Sequence, residues 1–194
     1  MNKIDITSSA IEKGIDLVGG FIEKLAGSSL EEAGLLLADM VRIRRLKNQI
    51  KIFSEAKRIA EENNISIKQI DLKILVPLLE FSSLEEDKTL QQKWSNLIVN
   101  FSDESQNYES SIFPFILSQL NKKDVDGFES LNTKSFNHYI GVLNSRIVKD
   151  NLLRLGLIET HTSGAYSEVP IGHKHRKTEL GIQFYNCCSN KKDI

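Results

Sequence analysis

Residues 74–101 read "ILVPLLEFSSLEEDKTLQQKWSNLIVNF", and how this stretch folds decides what kind of protein the chain makes. Pro77 sits among aliphatics, Glu85, Glu86 and Asp87 crowd together, and then comes Trp94, the only tryptophan. The acids are either a catalytic carboxylate cluster or the charged corner of a helical hairpin. Spacing favours the corner. Asp71 is placed to cap a helix starting at Leu72, and Leu75, Leu78, Leu79 and Ser82 share its inner face. Pro77 either bends that helix or marks its first turn, if it begins near Val76. Glu85, Glu86 and Asp87 then fall around the next helix start, where acids meet the positive end of the helix dipole. Leu90, Trp94, Leu97, Ile98 and Phe101 follow as one apolar stripe. Catalytic carboxylates need a cleft and a partner group, and no catalytic or ligand motif accompanies these.

Upstream of the hairpin, the pattern is helical as well. Ser9 with Glu12 and Ser29 with Glu32 match the capping-box spacing, each ahead of an apolar repeat. The first repeat is Ile11, Ile15, Val18, Ile22 and Leu25, ending at Gly27. The second runs from Leu30 to Glu62 through Met40, Ile43, Leu46, Ile50, Phe53, Ala56 and Ala60, until Asn63-Asn64 stops it. At 1.5 Å per residue such a helix is about 48 Å long, a spine for other helices or a surface for a second copy. Gly14, Gly19 and Gly20 mark the first helix as mobile or closely packed. Its polar face mixes Glu12, Asp16 and Glu23 with Lys13 and Lys24, and it lacks a tryptophan anchor, so core packing is favoured over membrane binding. "RIRRLKNQIK" (42–51) sets Arg42, Arg44, Arg45, Lys47 and Lys51 within three turns. A solvated face supported by Asp39 and Glu55 is favoured there over a phosphate-contacting stripe.

The totals bound the remaining possibilities. The 194 residues suffice for one large or two small domains, and the hydrophobic share of 40% with 26% charged is ordinary for a globular protein. A net charge of −1 removes any whole-molecule reason to expect nucleic acid or an acidic membrane as partner. From Lys122 onward, eleven Lys/Arg stand against eight Asp/Glu, and all four histidines lie between His138 and His175. The C-terminal part is therefore mildly basic. Cys187 and Cys188 are adjacent, a strained geometry for a mutual bridge, and have no separated partners for a disulfide framework or zinc knuckle. With no membrane-length apolar run and no signal pattern, a cytoplasmic protein without a membrane span is expected.

"LKNQIKIFSEAKRIAEENNI" (46–65), the run from Leu72 to Asn100 and "PFILSQLNKKDV" (114–125) together resemble the bacterial abortive infection alpha (Abi-alpha) family. The proline-leucine-leucine-glutamate, the "SLEED" corner and the tryptophan helix carry the resemblance, which covers about residues 30 to 125 well. It implies a role in defence against phage, in which the infected cell is sacrificed or arrested. It brings no catalytic residues and no molecular target.

From Ile112 the pattern changes. "IFPFILSQL" (112–120) reads as a short apolar helix, and Asn121 can cap a second through Phe128 and Leu131. A third, from Ser135 to about Leu155, carries Tyr139, Val142 or Leu143, Ile147 and Leu153 and ends at Gly156, which suits a helix C-terminus. "HTSGAYSEVPIGHKHRK" (161–177) has turn signals flanked by strand-like residues, and "TELGIQFYNCC" (178–188) closes with a helix. Three helices, a hairpin and a final helix make a winged-helix-like layout. The fold expected is mainly α: a helical region over 1–110 with one long helix and a helical hairpin, then a winged-helix-like α+β region over 111–194. Its candidate contact residues for nucleic acid or a protein partner are Arg146, Lys149 and Arg154 with Lys174, Arg176 and Lys177, joined by Asn144 and His175. Arg146, Lys149, Arg176 and Lys177 are expected on one face, opposite Ile147.

His173 and His175, an H-x-H pair, could face one side of a strand, yet only one of the adjacent cysteines could join them, so exposed wing histidines are expected over a metal site. No nucleophile elbow and no phosphate loop is present. The reading is a non-enzymatic defence protein without cofactor that binds a host or phage protein, with self-association through the long helix. The alternative is a winged-helix protein that binds DNA or RNA.

Overall fold

Asp71 caps the helix Leu72–Ser82 through its carboxylate, which accepts the Lys73 backbone N–H at 2.7 Å. These positions come from a computed structural model that describes residues 19–21, 24–25, 43–108, 110–131, 143, 145–161 and 174–190. In chain order the elements are α1 (Ile43–Glu62), α2 (Leu72–Ser82), α3 (Lys88–Ser102), α4 (Phe113–Ser118), α5 (Lys122–Ser130), α6 (Arg146–Arg154), β1 (Ile158–His161), β2 (Lys174–Lys177) and α7 (Glu179–Cys188). The chain divides into two units, residues 1–118 with 187–194, and residues 119–186.

In the first unit, α2 and α3 form the hairpin. Pro77 lies inside α2, which starts at Leu72, and Leu75, Leu78, Leu79 and Ser82 are all buried. Asp87 caps α3 by accepting the Thr89 and Leu90 N–H groups at 2.9 and 3.1 Å. Leu90, Trp94, Leu97, Ile98 and Phe101 are buried, and Trp94 is wholly enclosed. The helix α1 packs along α3, burying Ile52, Phe53, Ala56, Ile59 and Ala60. It also completes the end of α2. Gln49 donates to the Leu79 carbonyl at 2.9 Å and Asn48 to the Ser83 carbonyl at 3.1 Å, two groups that a helix end leaves without intrahelical partners. Asn64, at φ 51, ends α1 as expected, with the Ile65 N–H returning to the Ala60 carbonyl at 2.9 Å.

Helical residues recur at 19–21 and 24–25, where Phe21 and Leu25 are buried. No described residue comes within 4 Å of a Cβ placed on Gly19 or Gly20, so among the described residues no close helix contact is made there. The caps expected at Ser9 and Ser29, Gly14, and the long helix before Ile43 lie outside the described residues.

In the second unit, Asn121 caps α5 with a capping box, its side chain accepting from Lys123 and Asp124 while Asp124 accepts the Asn121 N–H. Ser145, with extended backbone, caps α6, so the single helix expected from Ser135 to about Leu155 is corrected to one that begins at Arg146; residues 135–142 and 144 lie outside the described residues. The inner face of α6 differs from the expectation by one position. Val148 and Leu152 are buried, and Ile147 is 81% exposed. The cause is on α5, where the missing side chain of Gly127 lets Val148 approach; an added Cβ would lie 2.8 Å from it. Gly156, at φ 70, turns the chain out of α6 into β1, as expected. The strands β1 and β2 pair antiparallel, with Ile158 opposite Lys177 and Glu159 opposite Arg176. Then α7 closes against the α6–β1 junction. Thr178 donates to the Gly156 carbonyl at 2.6 Å, and a Cβ on Gly181 would fall 2.0 Å from the Leu157 carbonyl oxygen.

Candidate functional site

The cationic positions singled out on α6 and the hairpin do not form one face. Successive strand residues point to opposite sides. Arg176 is exposed and pairs with Glu159 on β1. Lys177 turns inward and is buried, its ammonium 4.3 Å from the Phe128 ring centre and 3.9 Å from that of Tyr185. The expectation that Arg146, Lys149, Arg176 and Lys177 share a surface is corrected on this point: Lys177 is a core cation held against aromatic faces. His175, on the same side of β2, is buried as well, which corrects the expected exposed wing histidine. Lys174 enters through its backbone pairing with His161. Asn144 and His173 lie outside the described residues.

On α6 the cations are met by local partners. Arg146 lies 3.7 Å from the Asp150 carboxylate, and Lys149 reaches the same group at 4.0 Å. Arg154 donates to the Gln119 side chain at 2.9 Å and to Asn151 at 2.8 Å. Beside them stands Ile147, the most exposed large apolar side chain among the described residues. This is a mixed-charge surface around an apolar point.

At the acid corner of the first unit, two of the acids are engaged by the backbone. The Glu85 carboxylate accepts the backbone N–H groups of Glu86 and Asp87, each at 2.9 Å, while Asp87 caps α3. Burial nonetheless pushes the Glu85 carboxyl above the usual range, against those two hydrogen bonds, and the charges of Asp87 and Glu86 add to the rise. Leu84 beside it is exposed, as are Ile112 and Phe115. Arg45, from the basic run, donates to the Ser83 hydroxyl at 2.9 Å and so belongs to this corner. Arg42 and Arg44 are not among the side chains described.

Cys187 and Cys188 are buried thiols outside any disulfide, and burial pushes the Cys187 thiol well above its ordinary value. Among the described residues, no group of three or more His, Cys, Asp or Glu is placed to hold a metal ion, and no helix is long and apolar enough to cross a membrane. Cavities open on the first unit among the described residues. One, of about 590 Å³, has Lys57 paired with Glu61 at 3.9 Å in its wall. Another, of about 450 Å³, opens beside the start of α2 and contains Lys68, Lys73, Tyr108 and Ser111. Sequence reasoning passed over this second cavity, because its residues come from three separate segments and match no motif.

A family model described as abortive infection alpha matches residues 40–149, more than half of the chain and all of the hairpin. No curated protein and no solved structure matches the chain.

Proposed function

The chain belongs to the abortive infection alpha family, and from that membership we propose that it is a phage-defence protein acting without catalysis, by binding a protein partner. The observation that carries the mode of action is the surface of α6. Its cations Arg146 and Lys149 are shared with Asp150, and Ile147 projects between them with 81% of its surface exposed. An apolar anchor with a mixed-charge rim suits a protein interface. A duplex binder instead draws its affinity from cations available to neutralise phosphates. The acids of the corner support the non-catalytic reading, since Glu85 and Asp87 are engaged by backbone N–H groups.

We read the second unit as winged-helix-like, on the order α5, α6, β1, β2, α7 and the closure of α7 on the α6–β1 junction. In this reading the exposed side of α6, with Arg146, Lys149 and Arg154, is the recognition surface, and Arg176 contributes from the hairpin. Self-association through the long N-terminal helix is a second part of the proposal, read out by sedimentation velocity across a concentration range.

The test is Ile147→Glu, scored by phage plating on cells expressing the variant and by circular dichroism of the purified chain. Loss of protection with an unchanged melting curve is the expected result. Full protection overturns the α6 interface. In parallel, titration of a labelled random duplex should show weak binding; tight binding that falls steeply with salt would favour the nucleic-acid alternative instead.

A further inference from the structure

The 450 Å³ cavity at the start of α2 combines an apolar floor with a rim of hydrogen-bond donors. Its apolar floor is formed by Ile70, Ile74 and Phe101, of which all three are buried core residues. Around that floor stand four donors. Lys68 spends one ammonium hydrogen on the Gln106 carbonyl, at 2.6 Å, and has two remaining. The Lys73 ammonium, the Tyr108 hydroxyl and the Ser111 hydroxyl have no protein hydrogen-bond partner among the described residues. The one acid among the described lining residues, Asp71, already accepts the Lys73 backbone N–H as the cap of α2. Burial raises the Tyr108 phenol above its ordinary value, with Cys187, Asp103 and Cys188 adding to the effect, so it stays a donor well into the alkaline range.

The volume falls within the range of small-molecule sites, about 300–1,000 Å³. Two ammonium groups, two hydroxyls and an apolar floor are complementary to a molecule with one anionic end and one flat apolar body. In the larger cavity of the same unit, Lys57 pairs with Glu61 and Lys24 is the other cation, and no Tyr or Ser hydroxyl is among its described lining residues.

We propose that this cavity binds a small organic anion, a carboxylate or phosphate monoester, whose charged end lies between Lys68 and Lys73 and whose apolar body covers Ile70, Ile74 and Phe101. The site is separate from the α6 surface and stands or falls independently of the protein-binding reading.

Isothermal titration calorimetry on the full chain tests it with 1-naphthyl phosphate and 1-naphthoate as probes, which distinguish the two kinds of anion. The controls are 1-naphthol, which lacks the charge, and inorganic phosphate, which lacks the body. One probe should bind at a single saturable site, at least about tenfold more tightly than either control. Lys73→Ala, at an exposed position that leaves the fold intact by circular dichroism, should weaken that probe about tenfold, the worth of one charge-assisted hydrogen bond. Ser111→Ala should weaken it a few-fold. Absence of saturation by both probes up to about 10 mM, where fragment-sized ligands still register, overturns the proposal. So does unchanged affinity in Lys73→Ala, or inorganic phosphate binding as tightly as the probes.

Discussion

Asn100 on α3 donates its side-chain amide to the Cys187 carbonyl at 2.9 Å, across 87 residues of chain. The same amide reaches the Ser189 carbonyl at 3.1 Å, and Asn96, one turn earlier, donates to the Cys188 carbonyl at 3.1 Å. These carbonyls belong to the end of α7, where a helix leaves its last acceptors unmatched. Two buried amides at i and i+4 thus clasp the returning C-terminus onto the first unit.

The clasp should be measurable. Asn96→Ala with Asn100→Ala strands buried carbonyls, each costing about 1–3 kcal/mol. The double variant should melt several degrees lower, and its cysteines should react with a thiol reagent far faster under native conditions. Unchanged melting and unchanged thiol protection would mean that the C-terminus is held by other contacts.

Trp94 is fully enclosed, and its indole N–H has no partner among the described residues. Trp94→Ala should therefore cost about 3–5 kcal/mol, comparable with the margin of a typical domain. Trp94→Phe should cost markedly less, because it fills much of the space and removes a buried donor. Urea melts of the two variants check the order; equal losses would show that the N–H is satisfied.

At the acid corner, Glu85 has a folded-state pKa above its unfolded value. A raised carboxyl favours folding below the unfolded pKa, and that contribution is lost as pH rises through the folded pKa. Glu85→Gln removes the ionisation yet keeps an oxygen to accept the two N–H groups. Relative to wild type, the variant should gain stability from about pH 4 to pH 7. Asp87→Ala should instead lose about 0.5–2 kcal/mol through the lost cap. A Glu85→Gln stability difference that does not change over that range would contradict the sign.

Lys177 and Arg176 should separate in kind. Lys177→Glu puts an anion against the faces of Phe128 and Tyr185 and should unfold or severely destabilise the second unit. Arg176→Glu sits at the surface and should change stability by less than about 1 kcal/mol. Thermal melts of both variants decide the matter, and a stable Lys177→Glu protein would return that residue to the candidate surface.

Local patterning was sufficient wherever a cap or a period settles the conformation by itself. Asp71 and Asn121 cap their helices, the acids Glu85 to Asp87 fall at the start of α3, Asn64 and Gly156 end their helices, and the stripe from Leu90 to Phe101 lies in the core, all as the spacing implies. Such features depend on neighbours three or four residues away, which a single sequence contains. The face of α6 was not legible in this way. Ile147 and Val148 are adjacent and both β-branched, and it is Gly127 on another helix that admits Val148. Lys177 read as a surface cation because nothing in "HKHRK" shows that Phe128 and Tyr185 wait beneath it. The Asn96–Asn100 clasp and the cavity of Lys68, Lys73, Tyr108 and Ser111 join segments far apart in the chain. Partners brought together by packing leave no period in the sequence, so only the tertiary structure decided where this protein keeps its buried cation, its exposed apolar point and its donor-lined cavity.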